Sequence, residues 1–188
     1  MSQAPPGATD KRAAFTLLEL LAVITIVALL AGIMLGVGRR ASGAGKIARA
    51  KVELAALSAA LEGYKRRHGD YPRTDDEAHL LQSLIGRRGP RDAIINGRSM
   101  LEAARFVVAR PASPDTPADP FGETGAVLID PWSRPYVYAY KVSAGDWTNS
   151  AYVLYSLGPD GKDAPALLPG GIVDSAPREN ADNIHANR

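Results

Sequence analysis

The spacing of hydrophobic and polar positions changes along this chain, and each change predicts a different element. From Phe15 to Gly38 the sequence FTLLELLAVITIVALLAGIMLGVG is apolar on every side, with Glu19 as its sole ionisable residue. At about 1.5 Å rise per residue such a helix spans roughly 36 Å, enough for a hydrocarbon core of about 30 Å. Lys11 and Arg12 precede it, and Arg39 and Arg40 follow it, so flanking charge does not settle its orientation. A cleavable secretory signal has a shorter apolar stretch and no carboxylate near its start. Ala41–Gly45 is small and glycine-bearing, which predicts a bend. Lys46–Arg67 then reads as an amphipathic helix, with Leu54, Leu57, Leu61 and Tyr64 recurring at three and four residues. Arg49 with Glu53, and Glu62 with Arg66, are opposite charges four apart on that helix. His68 and Gly69 supply a glycine stop.

Beyond the stop, Pro72 blocks a continued helix, and Thr74 or Asp75 can cap a short one running through Leu84. Ser99 and Glu102 have the spacing of a capping box ahead of Phe106–Val108. Arg87, Arg88 and Arg91 form a small basic patch, read as a solvated loop or an anion site. Pro111, Pro114, Pro117 and Pro120 recur every third residue, which suits an extended polyproline II loop or a docking segment. The last third reads as antiparallel sheet. Val127–Ile129 is a short apolar run. Tyr136–Tyr140 alternates, with Tyr136, Tyr138 and Tyr140 on one side and Val137 and Ala139 on the other. Ala151–Ser156 forms a second strand joined through Ser143–Ser150.

Composition narrows the chemistry. The chain has 188 residues, 22 Lys+Arg against 20 Asp+Glu, and no cysteine. Near-balanced charge gives no case for nucleic-acid binding. Without cysteine there is no disulfide, thiolate nucleophile, cysteine-ligated zinc or iron–sulfur cluster. His68, His79 and His185 do not form a zinc spacing, and neither a nucleophile elbow nor a phosphate loop is visible, so no enzyme is expected. Glu19 is the costly residue, since a carboxylate in lipid must be protonated or paired. A cut between Ala14 and Phe15 would put a new amine one helical turn from it, on the same face. Asp160, Asp163, Asp174, Glu179 and Asp182 crowd near glycines 158, 161, 170 and 171. Carboxylates and glycine-permitted carbonyls are suitable oxygens for a hard cation, although an acidic solvated tail has the same composition.

Ala13-Ala14-Phe15-Thr16-Leu17-Leu18-Glu19-Leu20 resembles the processing site of type IV pilins and type II secretion pseudopilins, with Ala14 where that family has Gly. Tyr64-Lys65 with Gly69-Asp70-Tyr71-Pro72, Asp130-Pro131-Trp132 with Pro135-Tyr136, and Tyr152–Gly161 resemble segments of the major pseudopilin, the G-type subunit, with Ser133 replacing a glycine. The resemblance implies an α+β, type IV pilin-like fold, a long N-terminal helix packed on a small C-terminal antiparallel sheet. It implies a cleaved cytoplasmic leader over 1–14, a transmembrane and filament-core helix over 15–38, and a periplasmic globular domain over 39–188 with helix to about residue 67. It also implies cleavage by a prepilin peptidase between Ala14 and Phe15, N-methylation of Phe15, and Glu19 as the assembly residue. One Ca²⁺ is implied, held by Asp160, Asp182 and the Leu157 carbonyl, with Asp174 as a further ligand. The implied function is a structural subunit of a pseudopilus that pushes folded proteins across the outer membrane. Its partners are further copies of itself in a homo-oligomeric filament, minor pseudopilins, an inner-membrane assembly platform and the inner membrane, with no nucleic acid. A type IV pilus subunit, and an uncut signal-anchored periplasmic binding protein or enzyme, are the alternatives.

Overall fold

The computed structural model describes the backbone of residues 16–90, 93–142, 147–164 and 167–186, and the side chains of these residues except 33–41. The chain divides into two compact units, Met1–Ser42 and Gly43–Arg188. Helix α1 runs Leu17–His68 and contributes to both. The bend expected over 41–45 is not a break, for the backbone is helical through Gly43 and Gly45. Each glycine costs about 1 kcal/mol in a helix relative to alanine, and strong helix formers on both sides outweigh that. The stop is where the sequence puts it. Gly69 takes the left-handed conformation at φ 85° and donates its N–H to the Lys65 carbonyl at 2.7 Å.

In the first unit the described apolar side chains of α1 face solvent, Leu17 at 82 % exposure and Val27 at 58 %. Among the described residues no helix is long and apolar enough to cross a membrane. The expected span of 15–38 extends beyond the residues whose side chains are described.

The second unit is built on the other part of α1. Leu54, Leu57, Leu61 and Tyr64, the stripe the spacing marks, are each 1 % exposed or less. They share a core with Leu80, Leu81 and Leu84 of helix α2 (Glu77–Leu84), and with Leu128, Tyr136, Tyr138 and Leu154 from the strands. Helix α2 starts later than expected. Thr74 Oγ1 is engaged by the Asp76 N–H at 2.9 Å, so the cap is Asp76, whose Oδ1 accepts the His79 N–H at 2.8 Å.

Among the described residues the strands are β1 (Val107–Arg110), β2 (Ser113–Pro117), β3 (Val127–Ile129), β4 (Val137–Ala139), β5 (Val153–Ser156), β6 (Leu167–Leu168), β7 (Ile172–Val173) and β8 (Ile184–His185). They form antiparallel sheets ordered β2-β1-β3, β4-β5-β8 and β6-β7. The register pairs Val108 with Leu128 and Tyr138 with Leu154. The tyrosine alternation holds: Tyr136, Tyr138 and Tyr140 enter the main core, while Val137 packs with Val153 and Tyr155 on the other side.

Two local expectations change. The proline segment is not a polyproline loop, since Ser113–Pro117 pairs with β1 as an edge strand. A proline lacks only its own N–H, which an edge strand can leave unpaired. Ser99 and Glu102 do not make a capping box. Ser99 Oγ accepts the Leu101 N–H and donates to the Leu101 carbonyl, Glu102 pairs with Arg105, and the turn that follows, Ala103–Arg105, is 3-10 without a side-chain cap.

Candidate functional site

Two places in the structure carry the candidate residues. The first is the start of α1. Ala14 and Phe15 lie outside the described residues. Thr16 opens the helix, its carbonyl accepting the Glu19 and Leu20 N–H groups at 3.1 and 3.2 Å. Its Oγ1 accepts the Glu19 N–H at 3.2 Å. Glu19 therefore sits in the first turn, exposed, where the helix dipole favours a carboxylate. The Thr16 cap was legible as a Thr-x-x-Glu spacing before an apolar run, a signal the reading of Glu19 alone passes over.

The second place is the turn after β5, which packs against the segment before β8. Gly158 has φ 66°, and a Cβ on it would lie 2.2 Å from the Asp182 carbonyl oxygen. That close approach lets the Asp160 N–H reach Asp182 Oδ2 at 2.9 Å. Asp160 Oδ1 accepts the Lys162 N–H at 2.8 Å. Each carboxylate thus satisfies one backbone donor and keeps its other oxygen for a further partner. Asn183 is next to Asp182, and its Oδ1 is buried without a hydrogen-bond donor.

Around this pair lies a scaffold the sequence reading missed. Asp130, 2 % exposed, accepts the Trp132 and Arg134 N–H groups on Oδ1 and the Ser156 hydroxyl on Oδ2 at 2.6 Å. Ser156 Oγ in turn accepts the Gly158 N–H. Arg134 donates to the Gly158 carbonyl at 2.8 Å and lies so close over Gly161, at φ 66°, that any side chain there would collide with the guanidinium. Ser133, which stands where the resembling motif has glycine, adopts φ 64°, so the left-handed turn survives the exchange. Asp163 Oδ2 accepts the Tyr155 hydroxyl at 2.8 Å. Burial, and then that bond to a carboxylate, push the Tyr155 phenol well above its ordinary range.

Asp174 does not join Asp160 and Asp182. Its Oδ1 accepts the Ala176 N–H at 2.9 Å, and its carbonyl accepts Asn180 Nδ2 at 2.8 Å. Asn180 links the same segment to Ala164 through its Oδ1. Among the described residues no three acidic or histidine side chains are grouped to hold a metal. A hard cation here would draw on two carboxylates, and its other oxygens would come from carbonyls, amides and water, which suits calcium more than zinc.

A third constellation was read only in part, as the Arg49–Glu53 pair, which forms as expected. Glu53, 6 % exposed on α1, accepts from Arg49 Nε at 2.7 Å and from the Tyr136 hydroxyl at 2.6 Å. Burial and this bond push the Tyr136 phenol far up. Glu62, expected to meet Arg66, accepts the Tyr71 hydroxyl at 2.5 Å. These bonds fasten the helix to the start of β4 and to the loop after Gly69, and carry no chemistry of their own.

Residues 9–35 match the prokaryotic N-terminal methylation motif, which covers the start of α1 and the segment before it. Over 174 residues the chain is 28 % identical to the type II secretion system core protein G of Pseudomonas aeruginosa, spanning 92 % of this chain and 97 % of that protein. The chain is thus similar over most of its length to a type II secretion core protein and carries a prokaryotic N-terminal methylation motif. No solved structure matches it. The α+β architecture, a long N-terminal helix with small antiparallel sheets, agrees with a pilin-like fold.

Proposed function

We propose that this chain is a structural subunit of a type II secretion pseudopilus. The observation that carries the proposal is the join between a methylation motif at 9–35 and a helix whose large apolar side chains from Leu17 to Leu30 are exposed within one copy. A prepilin peptidase removes Met1–Ala14 and methylates Phe15. The apolar segment 15–38 holds the subunit in the inner membrane, with residues 39–188 in the periplasm. An inner-membrane platform then extracts it into a homopolymeric filament that also contains minor pseudopilins. Burying the apolar helices against one another replaces lipid by protein contact. Glu19 answers the Phe15 amine of the same or a neighbouring subunit, which offsets desolvation and fixes register. The growing filament pushes folded proteins across the outer membrane.

Calcium belongs to the same proposal. Asp160, Asp182 and the Leu157 carbonyl would hold it, with Asn183 Oδ1 as an oxygen that otherwise lacks a donor. Bound there, the ion ties the C-terminal segment to the turn after β5 and stabilises the fold by linkage. It takes no part in bond-making.

Two measurements test the reading. Intact mass of the chain extracted from membranes is expected to show loss of Met1–Ala14 and a methyl on Phe15. Glu19→Ala is expected to abolish filaments while the subunit still accumulates in the membrane. An uncut chain, or normal filaments from Glu19→Ala, would refute it.

A further inference from the structure

The exposed apolar residues of the second unit include two groups, each with a charged side chain at its edge. One is a groove of about 400 Å³ beside α1, lined by Ala48, Val52, Ala56 and Phe106 and rimmed by Arg49 and Arg105. Val52, one of its lining residues, is 70 % exposed in a single copy. Arg49 and Arg105 each use Nε on a neighbouring carboxylate, Glu53 and Glu102, and are 49 % and 75 % exposed. A guanidinium carries five donors, so both rims retain N–H groups for another acceptor.

The other group is the β6–β7 hairpin. Leu167, Leu168 and Ile172 project at 39 %, 43 % and 52 % exposure. The hairpin is held, not loose. The Thr148 and Asn149 N–H groups donate to the Gly170 carbonyl at 3.0 and 2.9 Å, and Asn149 Nδ2 donates to the Gly171 carbonyl at 2.9 Å. Gly171, at φ 74°, lies flat against the Trp147 ring, where a Cβ would sit 2.5 Å from it. A preorganised apolar tip loses little entropy on docking. Asp174 follows β7 directly and keeps one carboxylate oxygen beyond its bond to Ala176. The tip is thus apolar with an acidic flank, and the groove is apolar with two arginines at its rim that keep N–H donors beyond their pairing with Glu53 and Glu102.

We propose that the β6–β7 hairpin of one copy docks into the groove of a second copy, with Leu168 and Ile172 covering Val52 and Phe106 and Asp174 meeting Arg105. Knob and groove are different patches of one chain, so the contact can run head-to-tail, and where its rotation does not close a ring it repeats as an open helical filament. This inference rests on the pseudopilus reading and places a lateral contact between globular units beside the helical bundle.

The chain contains no cysteine, so introduced thiols report without background. Full-length Val52→Cys and Leu168→Cys chains are co-expressed and oxidised in membranes and in sheared filaments. A mixed disulfide forms only where Cβ atoms come within about 4 Å. The expected result is a dimer that requires both variants and is absent when Leu168→Cys is exchanged for Asp115→Cys on edge strand β2. Leu168→Asp, on an exposed side chain that leaves the fold intact, is expected to cut filament yield about tenfold, as loss of one central apolar anchor does. Filaments without the mixed disulfide, or a Val52–Val52 dimer in its place, overturn the docking and leave the pseudopilus reading standing. The mixed disulfide without any filament supports the docking and overturns that reading. Neither disulfide nor filament overturns both.

Discussion

Replacing Gly158 by alanine tests whether one close approach assembles the acidic turn. An L-residue at φ 66° costs about 1–2 kcal/mol. The added methyl would also lie 2.2 Å from the Asp182 carbonyl oxygen and 2.9 Å from its carbonyl carbon, against an ordinary contact of about 3.5 Å. Backbone on both sides is the obstacle, so the Asp182 segment must retreat by about 1 Å, which breaks the 2.9 Å bond from Asp160 N–H to Asp182 Oδ2. A hydrogen bond to a charged group contributes about 1.5–3 kcal/mol. Together these give about 3 kcal/mol, or roughly 6–12 °C in Tm for a unit of this size. The assay is thermal unfolding of the full chain in detergent, with calcium and with chelator. The parent is expected to lose about 2–3 kcal/mol on chelation, the linkage for an ion at about a hundred times its Kd. Gly158→Ala is expected to melt lower in both media and to lose most of that calcium dependence. A variant within about 1 °C of the parent, or one with an unchanged response to chelator, refutes the argument.

Tyr136→Phe removes the hydroxyl that serves buried Glu53, and is expected to cost about 1–3 kcal/mol in denaturant unfolding; an unchanged midpoint would show that Arg49 alone satisfies the carboxylate. Burial pushes the Asp70 carboxyl up, but bonds from Tyr140, Arg73 and the Tyr71 N–H outweigh it and hold the group at about 2 against an ordinary 3.8. Its ionised form favours the fold, so this contribution is present above 3.8 and is lost as pH falls through about 2. After screening at a partly exposed site it is about 1 kcal/mol, and Asp70→Asn is expected to flatten that limb of a stability–pH series. Leu57→Ala in the helix–sheet core is expected to cost about 2–5 kcal/mol, read from chemical denaturation, and a loss below 1 kcal/mol would mean the site collapses around the gap.

Much of the molecule was legible because its signals are local. The stripe Leu54–Tyr64, the stop at Gly69 and the tyrosine alternation each follow from period and backbone sterics, and each appears in the structure as read. The motif around Phe15–Glu19 was legible as a short pattern, and the comparisons bear that resemblance out. Asp160 and Asp182 were singled out by resemblance, and the structure brings them together. Asp174 had the same composition in its favour and lies apart from them, because its carboxylate closes its own turn.

What only the tertiary structure decided depends on residues distant in sequence meeting in space. The proline segment became an edge strand because β1 offered it a partner. Glu53 became a buried anchor because Tyr136 arrived from β4's start. Asp130, Ser156, Arg134 and Gly158 became one scaffold only after β5 closed. Local propensity reads torsion and period, and the sequence alone therefore determined the helix, its stop, its apolar face and the likeness at its amino terminus. Which polar groups share a buried site is set by packing across many intervening residues, and that was settled by the fold.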